Sequence, residues 1–188
     1  PEAPPGAGPT AVPEPRRGYG QACLAGIAAA ADVDVFVFLD GDYSDHPEQL
    51  LDVLAPIERD EADLVIGSRT LRRRGAGAHP WHAVLGTRLC VSVMNRLIGT
   101  AATDLGPFRA ITAPALRRLA MCDRNFGWTV EMQVKALQHR LRVAEVPVRY
   151  RPRKGAPKIT GTVPGTVKAG GKILWTIFRY ALWEPARR

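Results

Sequence analysis

Cysteine is scarce in this 188-residue chain: Cys23, Cys90 and Cys122 are the whole supply. They are odd in number, far apart and form no C-x-x-C, which argues against a disulfide scaffold and against a structural zinc site. The four histidines, His46, His79, His82 and His139, show no ligand spacing. No apolar run reaches the roughly 20 residues needed to span a bilayer, and no signal peptide opens the chain, so a reducing, cytoplasmic setting is expected. Aromatic residues make up only 7%. They are not interleaved with the basic residues as single-strand nucleic-acid binders require, so no nucleic-acid partner is expected. No internal repeat is visible.

What is present is the balance of an ordinary globular protein, 46% apolar and 23% charged, in a length that fits about one domain. The net charge of +8 is unevenly spread, with −3 over residues 1–134 and +11 over residues 135–188. A nearly neutral body with a strongly basic end suits a polyanionic partner, whether anionic lipid headgroups, a phosphorylated substrate or, as a distant alternative, nucleic acid bound by a basic module, or else a solvated basic tail.

The first 15 residues hold six prolines and cannot be a helix; they read as a fragment edge, with one short strand near Thr10–Val12. An alanine-rich helix is expected over Gln21–Ala31. Val33–Leu39 is an almost continuous apolar run of β-branched and aromatic residues, the pattern of a strand buried on both faces of a parallel sheet. It stops at Asp40-Gly41-Asp42. A helix follows, with Asp45 or His46 near its cap and Pro47 in its first turn, then a second buried strand at Asp63–Gly67. Strand, helix, strand in this spacing is a βαβ unit. Further on, helices are expected at Trp81–Ile98, Pro114–Met121, Trp128–His139 and Gly165–Trp183, and strands at Phe108–Ile111 and Val143–Tyr150. Pro147 marks the last strand as an edge.

In open α/β sheets ligands bind outside the carboxyl ends of strands, and Asp40 and Asp42 stand at such an end. Two carboxylates one residue apart can share a hard divalent cation with substrate phosphates. A solvated Asp-Gly-Asp turn is equally good chemistry for a strand end, so the pair alone leaves both readings open.

The order of several short motifs carries more information than any one of them. Arg16-Arg17-Gly18-Tyr19-Gly20-Gln21-Ala22, Phe38-Leu39-Asp40-Gly41-Asp42 with Asp45 and Pro47, Gly67-Ser68-Arg69, and Thr103-Asp104-Leu105-Gly106-Pro107-Phe108-Arg109-Ala110-Ile111 resemble glycosyltransferase family 2. Within it they are most similar to the branch of dolichyl-phosphate and polyprenyl-phosphate mannose or glucose synthases. The resemblance implies a GT-A fold, a Rossmann-like, mostly parallel sheet flanked by helices. It also implies that the first nucleotide-binding strands of the family are lacking, since the matching order enters just before Arg16. Residues 1–15 are then the fragment edge, 16–150 the catalytic core, and 151–188 a basic loop with an amphipathic C-terminal helix.

The activity implied is inverting, metal-assisted transfer of a sugar from a UDP- or GDP-linked donor to a polyprenyl phosphate, at the cytoplasmic face of a membrane. A soluble acceptor is the alternative. Mg²⁺ or Mn²⁺ would sit at the D-x-D, on Asp42 directly and on Asp40 directly or through water. By the same resemblance Asp104 lies near the acceptor, where it orients the acceptor or acts as a base; a turn-forming Asp bonded to nearby amides is the plainer reading. Gly18 and Gly20 would let the backbone approach the donor, or else form a helix entrance. Arg69 ends a strand at the same edge as Asp42 and is suited to a phosphate. Arg72–Arg74 form a charge run in a loop. The segment Arg149–Lys158 resembles the family's R-x-G-x-S-K loop with Pro157 in place of Ser, and Arg153 and Lys158 would clamp the diphosphate. Glu131 and Lys135 form an i, i+4 pair on a helix. At 100° per residue, Lys168, Lys172, Trp175 and Arg179 fall within about 60° of one another, opposite Ile173, Leu174, Ile177, Phe178 and Ala181. A basic stripe carrying a Trp and backed by an apolar face fits a helix lying in a membrane interface, or one packed on the sheet with its stripe in water.

Overall fold

The computed structural model describes residues 10–30, 32–71, 81–152 and 163–182. Helix α1 (Tyr19–Ala29) leads to strand β1 (Val35–Phe38); a 3₁₀ turn at Pro47–Gln49 opens helix α2 (Leu50–Glu58), and strand β2 (Leu64–Ser68) follows. Then come helix α3 (Trp81–Ile98), strand β3 (Arg109–Thr112), helices α4 (Ala113–Leu119) and α5 (Trp128–Gln138), strand β4 (Val143–Pro147) and helix α6 (Val163–Ala181). Most lie within about two residues of their expected bounds, the usual fraying of element ends. The final strand stops at Pro147, short of the expected Tyr150, and Thr10–Val12 is irregular, not a strand.

The sheet order is β1-β3-β2-β4, and it corrects the expectation of a mostly parallel sheet. β3 runs antiparallel to both β1 and β2, and only the β2–β4 pairing is parallel. β1 and β2 do point the same way, as a βαβ unit requires, but β3 lies between them. β1 is half-buried along its length, not buried on both faces as its apolar run suggested, because among the described residues it has a strand on one side only. β2, with neighbours on both sides, is buried throughout. Among the described residues β4 is an edge, so Pro147 forfeits no ladder bond to a further strand there.

Alternation along the strands sorts the core into two layers. Leu64, Ile66 and Ile111 face α4 and α5, meeting Leu116, Leu119, Trp128 and Met132, with Tyr19, Cys23, Leu24 and Ile27 of α1 packed against them. Val65 and Ala110 face the other way, onto Val53 of α2 with Val35, Val37 and Val146. A third cluster joins the helices to one another, with Met94 and Cys90 of α3 against Val130 and Val134 of α5 and Ile177 and Tyr180 of α6. Full burial of one such Leu, Ile or Val is worth about 1.5–3 kcal/mol.

The antiparallel entry of β3 matters most for the site. Arg109, its first residue, pairs with Phe38 at the carboxyl end of β1 and with Ile66 near the end of β2. The loop before β3, with Asp104, Gly106 and Phe108, therefore crosses the edge where β1 delivers Asp40 and Asp42 and β2 delivers Arg69. β4 ends at the same edge, since Pro147 pairs with Ser68 and the Val148 N–H donates to the Ser68 carbonyl at 3.0 Å.

Candidate active site

The Asp40–Asp45 turn is shaped by its own carboxylates. Asp42 Oδ1 accepts from the Ser44 N–H at 3.0 Å and from the Ser44 hydroxyl at 2.5 Å. Asp45, 2% exposed, is no helix cap; its side chain folds back so that Oδ2 accepts from the Asp40 N–H at 2.9 Å, and His46 takes the cap position. Its Oδ1 is buried without a partner. Burial raises the Asp45 carboxyl above its usual range, against the pull of the Asp40 N–H bond and the Arg69 charge.

Arg69 and Asp104 meet beside this turn. Arg69 Nε donates to Asp104 Oδ2 at 2.7 Å and Nη2 to Oδ1 at 2.7 Å, while the Arg69 N–H reaches Oδ2 at 2.9 Å. The Leu105 N–H adds a fourth bond to Oδ1 at 2.7 Å. Asp104 is 1% exposed. Burial by itself would raise its carboxyl, but the Arg69 fork and charge and the backbone N–H bonds outweigh it and hold the group below its usual value. Burial likewise works against the Arg69 charge, and Asp104 more than restores it. The Arg69 guanidinium also lies 5.1 Å from the centre of the Tyr150 ring. The structure thus ties two expected site residues into one ion pair and places Asp104 as the group that positions Arg69. Beneath it, Ser68 Oγ and Thr103 Oγ1 lie 2.6 Å apart, and the Thr103 N–H donates to Glu145 Oε1 at 2.9 Å.

Sequence reasoning gave Arg109 no role of its own. It is fully buried, donating from Nη1 to the Thr129 carbonyl at 2.9 Å and from Nη2 to the Gly106 carbonyl, with Nε unpartnered. Burial pushes its guanidinium down to about 10, against the attraction of Tyr19 and Asp104. Its signal was available, a lone cation in an apolar strand, but the direction of its donors was not. Arg151, expected only as one of the basic charges of the Arg149–Lys158 segment, donates its N–H to the Ser44 carbonyl at 3.0 Å, inside the Asp42 turn.

Gly18 and Gly20 have a structural reason for being glycine. Gly18 stands at φ 150°, and a Cβ there would come within 2.1 Å of the Arg124 carbonyl oxygen; at Gly20 it would come within 2.0 Å of the Asp123 carbonyl oxygen. The first turn of α1 is laid against the 123–125 loop, with the Gln21 N–H donating to the Arg124 carbonyl at 3.0 Å. This contact gives both glycines a packing reason at the entrance to α1, the alternative the sequence left open. Glu131 is buried in a 2.6 Å pair with Lys135 and accepts from the Cys122 and Asp123 N–H groups at 2.9 and 2.6 Å, an internal brace for that loop.

On α6, Trp175 and Arg179 are exposed as expected, but Lys172 is engaged with Asp123 at 3.4 Å. Phe178, expected on the inner face, is exposed next to Trp175, because Thr176, Ile177 and Tyr180 take the buried positions. Arg153, Lys158 and Arg72–Arg74 lie outside the described residues, as does the side chain of Lys168.

Comparisons with known proteins bear on the family and the fold. Over 164 residues the chain is 36% identical to an uncharacterized glycosyltransferase of Mycobacterium tuberculosis, covering 86% of this chain and 73% of the relative. An undecaprenyl-phosphate mannosyltransferase of Micrococcus luteus is 32% identical over 160 residues, covering 79% of this chain and 63% of that protein. Among solved structures, the glucosyl-3-phosphoglycerate synthase of M. tuberculosis in complex with Mn²⁺, UDP-glucose and phosphoglyceric acid superposes with a TM-score of 0.68 at 18% identity. It is matched over 91% of this chain but only 57% of its own length, a likeness of fold, which is GT-A-like α/β with a mixed sheet. The family model for glycosyl transferase family 2 matches residues 10–120, the stretch that holds α1, the Asp40–Asp42 turn, Arg69 and Asp104, and the chain belongs to that family.

Proposed function

We propose that this chain carries the catalytic site of a divalent-metal-dependent, inverting glycosyltransferase that moves a sugar from a UDP- or GDP-linked donor to a polyprenyl phosphate. The observation that carries the donor side is the convergence of the Asp40–Asp42 turn, the Arg69–Asp104 pair and the Arg149–Arg151 segment on one carboxyl edge. Asp40 and Asp42 suit a hard cation, being two carboxylates on a turn at a strand end. Among the described residues no third His, Cys, Asp or Glu joins them in a cluster, so water and diphosphate oxygens would complete the shell. Bound there, Mg²⁺ or Mn²⁺ would neutralise the charge that develops on the leaving nucleoside diphosphate. The Mn²⁺ and UDP-glucose in the fold relative support this reading. Arg69 lends fixed positive charge nearby, and Arg153 and Lys158 would add more. Asp104 acts through Arg69. Its enclosure fits an acceptor phosphate already ionised at neutral pH, for which a strong general base is not essential.

For the acceptor, support comes from α3 and α6. Neither helix contains an Asp or Glu. Leu85, Leu89 and Leu97 of α3 are exposed with Arg88 and Arg96, and Trp175, Phe178 and Leu182 are exposed with Arg179. No helix among the described residues is long and apolar enough to cross a membrane, so the contact proposed is peripheral, at the cytoplasmic face. A second reading, a small soluble phosphorylated acceptor, is favoured by the phosphoglyceric acid complex of the fold relative. A panel of UDP- and GDP-sugars with Mn²⁺ separates the two. Transfer to polyprenyl phosphate in detergent supports the first, and transfer to a phosphorylated small molecule without detergent supports the second. Asp42→Asn should abolish Mn²⁺-dependent donor binding with little change in melting temperature, since Asp42 sits on a turn outside the core. Unchanged donor affinity in a Mn²⁺ titration would remove the metal assignment.

A further inference from the structure

The turn that presents Asp40 and Asp42 contains a strained residue. Tyr43 stands at φ 72°, in the left-handed region that an L side chain enters only when its surroundings hold it there. The residue is 48% exposed, so core packing does not supply the hold. A residue that contributes to it lies past the end of a strand far along the chain. Arg151, four positions beyond the end of β4, donates from its backbone N–H to the Ser44 carbonyl at 3.0 Å, from Nε to the Tyr43 carbonyl and from Nη2 to the Asp45 carbonyl at 3.1 Å. Its guanidinium carbon lies over the Tyr43 ring, 3.4 Å from the centroid. Three successive carbonyls of the turn and the ring of its strained residue are thus all engaged by one arginine. The Arg149 N–H extends the seam, donating to Gln49 Oε1 at 2.7 Å beside the start of α2.

We infer that Arg151 is a positioning residue for the donor site: it holds the Asp40–Asp45 turn in the shape that offers Asp40 and Asp42 to a metal-bound diphosphate. A planar fork is needed for this, with one nitrogen to each carbonyl and a flat face for the ring; an ammonium offers neither. The inference rests on the metal-dependent donor reading above and extends it to a residue that meets neither metal nor phosphate.

The test is a titration of the full-length protein with Mn²⁺ in the presence of UDP and, separately, GDP. It is followed by Mn²⁺ electron paramagnetic resonance and by calorimetry, with thermal melting in parallel. Arg151→Ala should weaken Mn²⁺–nucleoside diphosphate binding about 10- to 100-fold, the usual range for a group that orients metal ligands without touching the metal. Melting should be nearly unchanged, and Arg151→Lys should lose about as much affinity as Arg151→Ala. Adding Tyr43→Gly to Arg151→Ala should recover much of the lost affinity, because glycine takes φ 72° without outside support. Parent-like binding by Arg151→Ala overturns the inference. So does a failure of Tyr43→Gly to recover binding, which would make Arg151 a direct phosphate ligand. Should Arg151→Ala not fold, Arg151→Lys against Arg151→Lys with Tyr43→Gly asks the same question. A parent that binds neither nucleotide with Mn²⁺ brings down the donor reading and this inference together, an outcome distinct from a binding parent with an indifferent Arg151.

Discussion

Asp104 and Arg69 form the most consequential pair at the residue scale, because each is buried and each depends on the other. Replacing Asp104 by Asn keeps the shape but leaves the Arg69 guanidinium without its counter-charge. Breaking a buried pair in this way costs about 3 kcal/mol, a melting-temperature loss on the order of 6–12 °C for a chain of this size. The acid dependence follows from the direction of the Asp104 shift. Its folded carboxyl titrates below the ordinary 3.8. The pair's contribution is therefore full above that value and is lost as pH falls through it toward the folded value. Calorimetry of parent and Asp104→Asn should show a wide stability gap at pH 7 that narrows near pH 3. A gap of constant width would mean that the Asp104 charge contributes nothing. Asp45 is the counter-case in the neighbouring turn: its carboxyl is raised by burial, and one of its oxygens is unpaired.

At the scale of elements, the seam between α1 and the 123–125 loop depends on backbone meeting backbone. Gly20→Ala would place a methyl against the Asp123 carbonyl oxygen, which cannot rotate away as a side chain can. The overpacking should cost about 1–3 kcal/mol, read as a lower urea midpoint with an unchanged slope; an unchanged midpoint would show that the loop yields freely. That seam also shows where sequence reading stopped. Gly18-Tyr19-Gly20 looks like a phosphate-approach loop, and only the three-dimensional partner, more than a hundred residues away, reveals a packing role. Helices α3, α5 and α6 and strand β2 were legible because periodicity and apolar runs are local signals. The reversed direction of β3 was not, since no property of Arg109–Thr112 encodes the polarity of its neighbours. The Asp40–Asp42 turn was legible from its position after an apolar run. The enclosure of Asp104 was not, because its partner Arg69 lies 35 residues away. The Arg151 strap was hidden in a basic segment read as a diphosphate clamp, where no local signal points to the carbonyls of a turn about a hundred residues earlier.

At the scale of the molecule, the sheet gathers the Asp40–Asp42 turn and the Arg69–Asp104 pair at one edge, and the α3–α6 pair carries basic and apolar side chains outward with no carboxylate among them. Lys172 is already engaged with Asp123, so the charges available to an anionic surface are better represented by Arg88, Arg96 and Arg179. Near an anionic leaflet each contributes on the order of 1 kcal/mol. Reversing all three to Glu should therefore weaken binding to phosphatidylserine-containing vesicles at least about a hundredfold. Melting should stay nearly unchanged, as exposed surface positions allow. Co-sedimentation equal to that of the parent would leave these helices as a solvated face and favour the soluble acceptor.

The placement of β3 also dictates the order in which the site can come into being during synthesis. β1 and β2 leave the ribosome first, yet neither pairs with the other; Val37 and Val65 both take Ala110 as their partner. Until that residue has emerged, the two strands that carry Asp40, Asp42 and Arg69 have no shared ladder to align them, and Asp104 has not yet been brought beside Arg69. Pairing across such sequence distances is slow compared with local helix formation. A nascent chain halted before β3 thus holds the Asp40–Asp42 and Arg69 motifs in its sequence while having no ladder to bring them to a common edge.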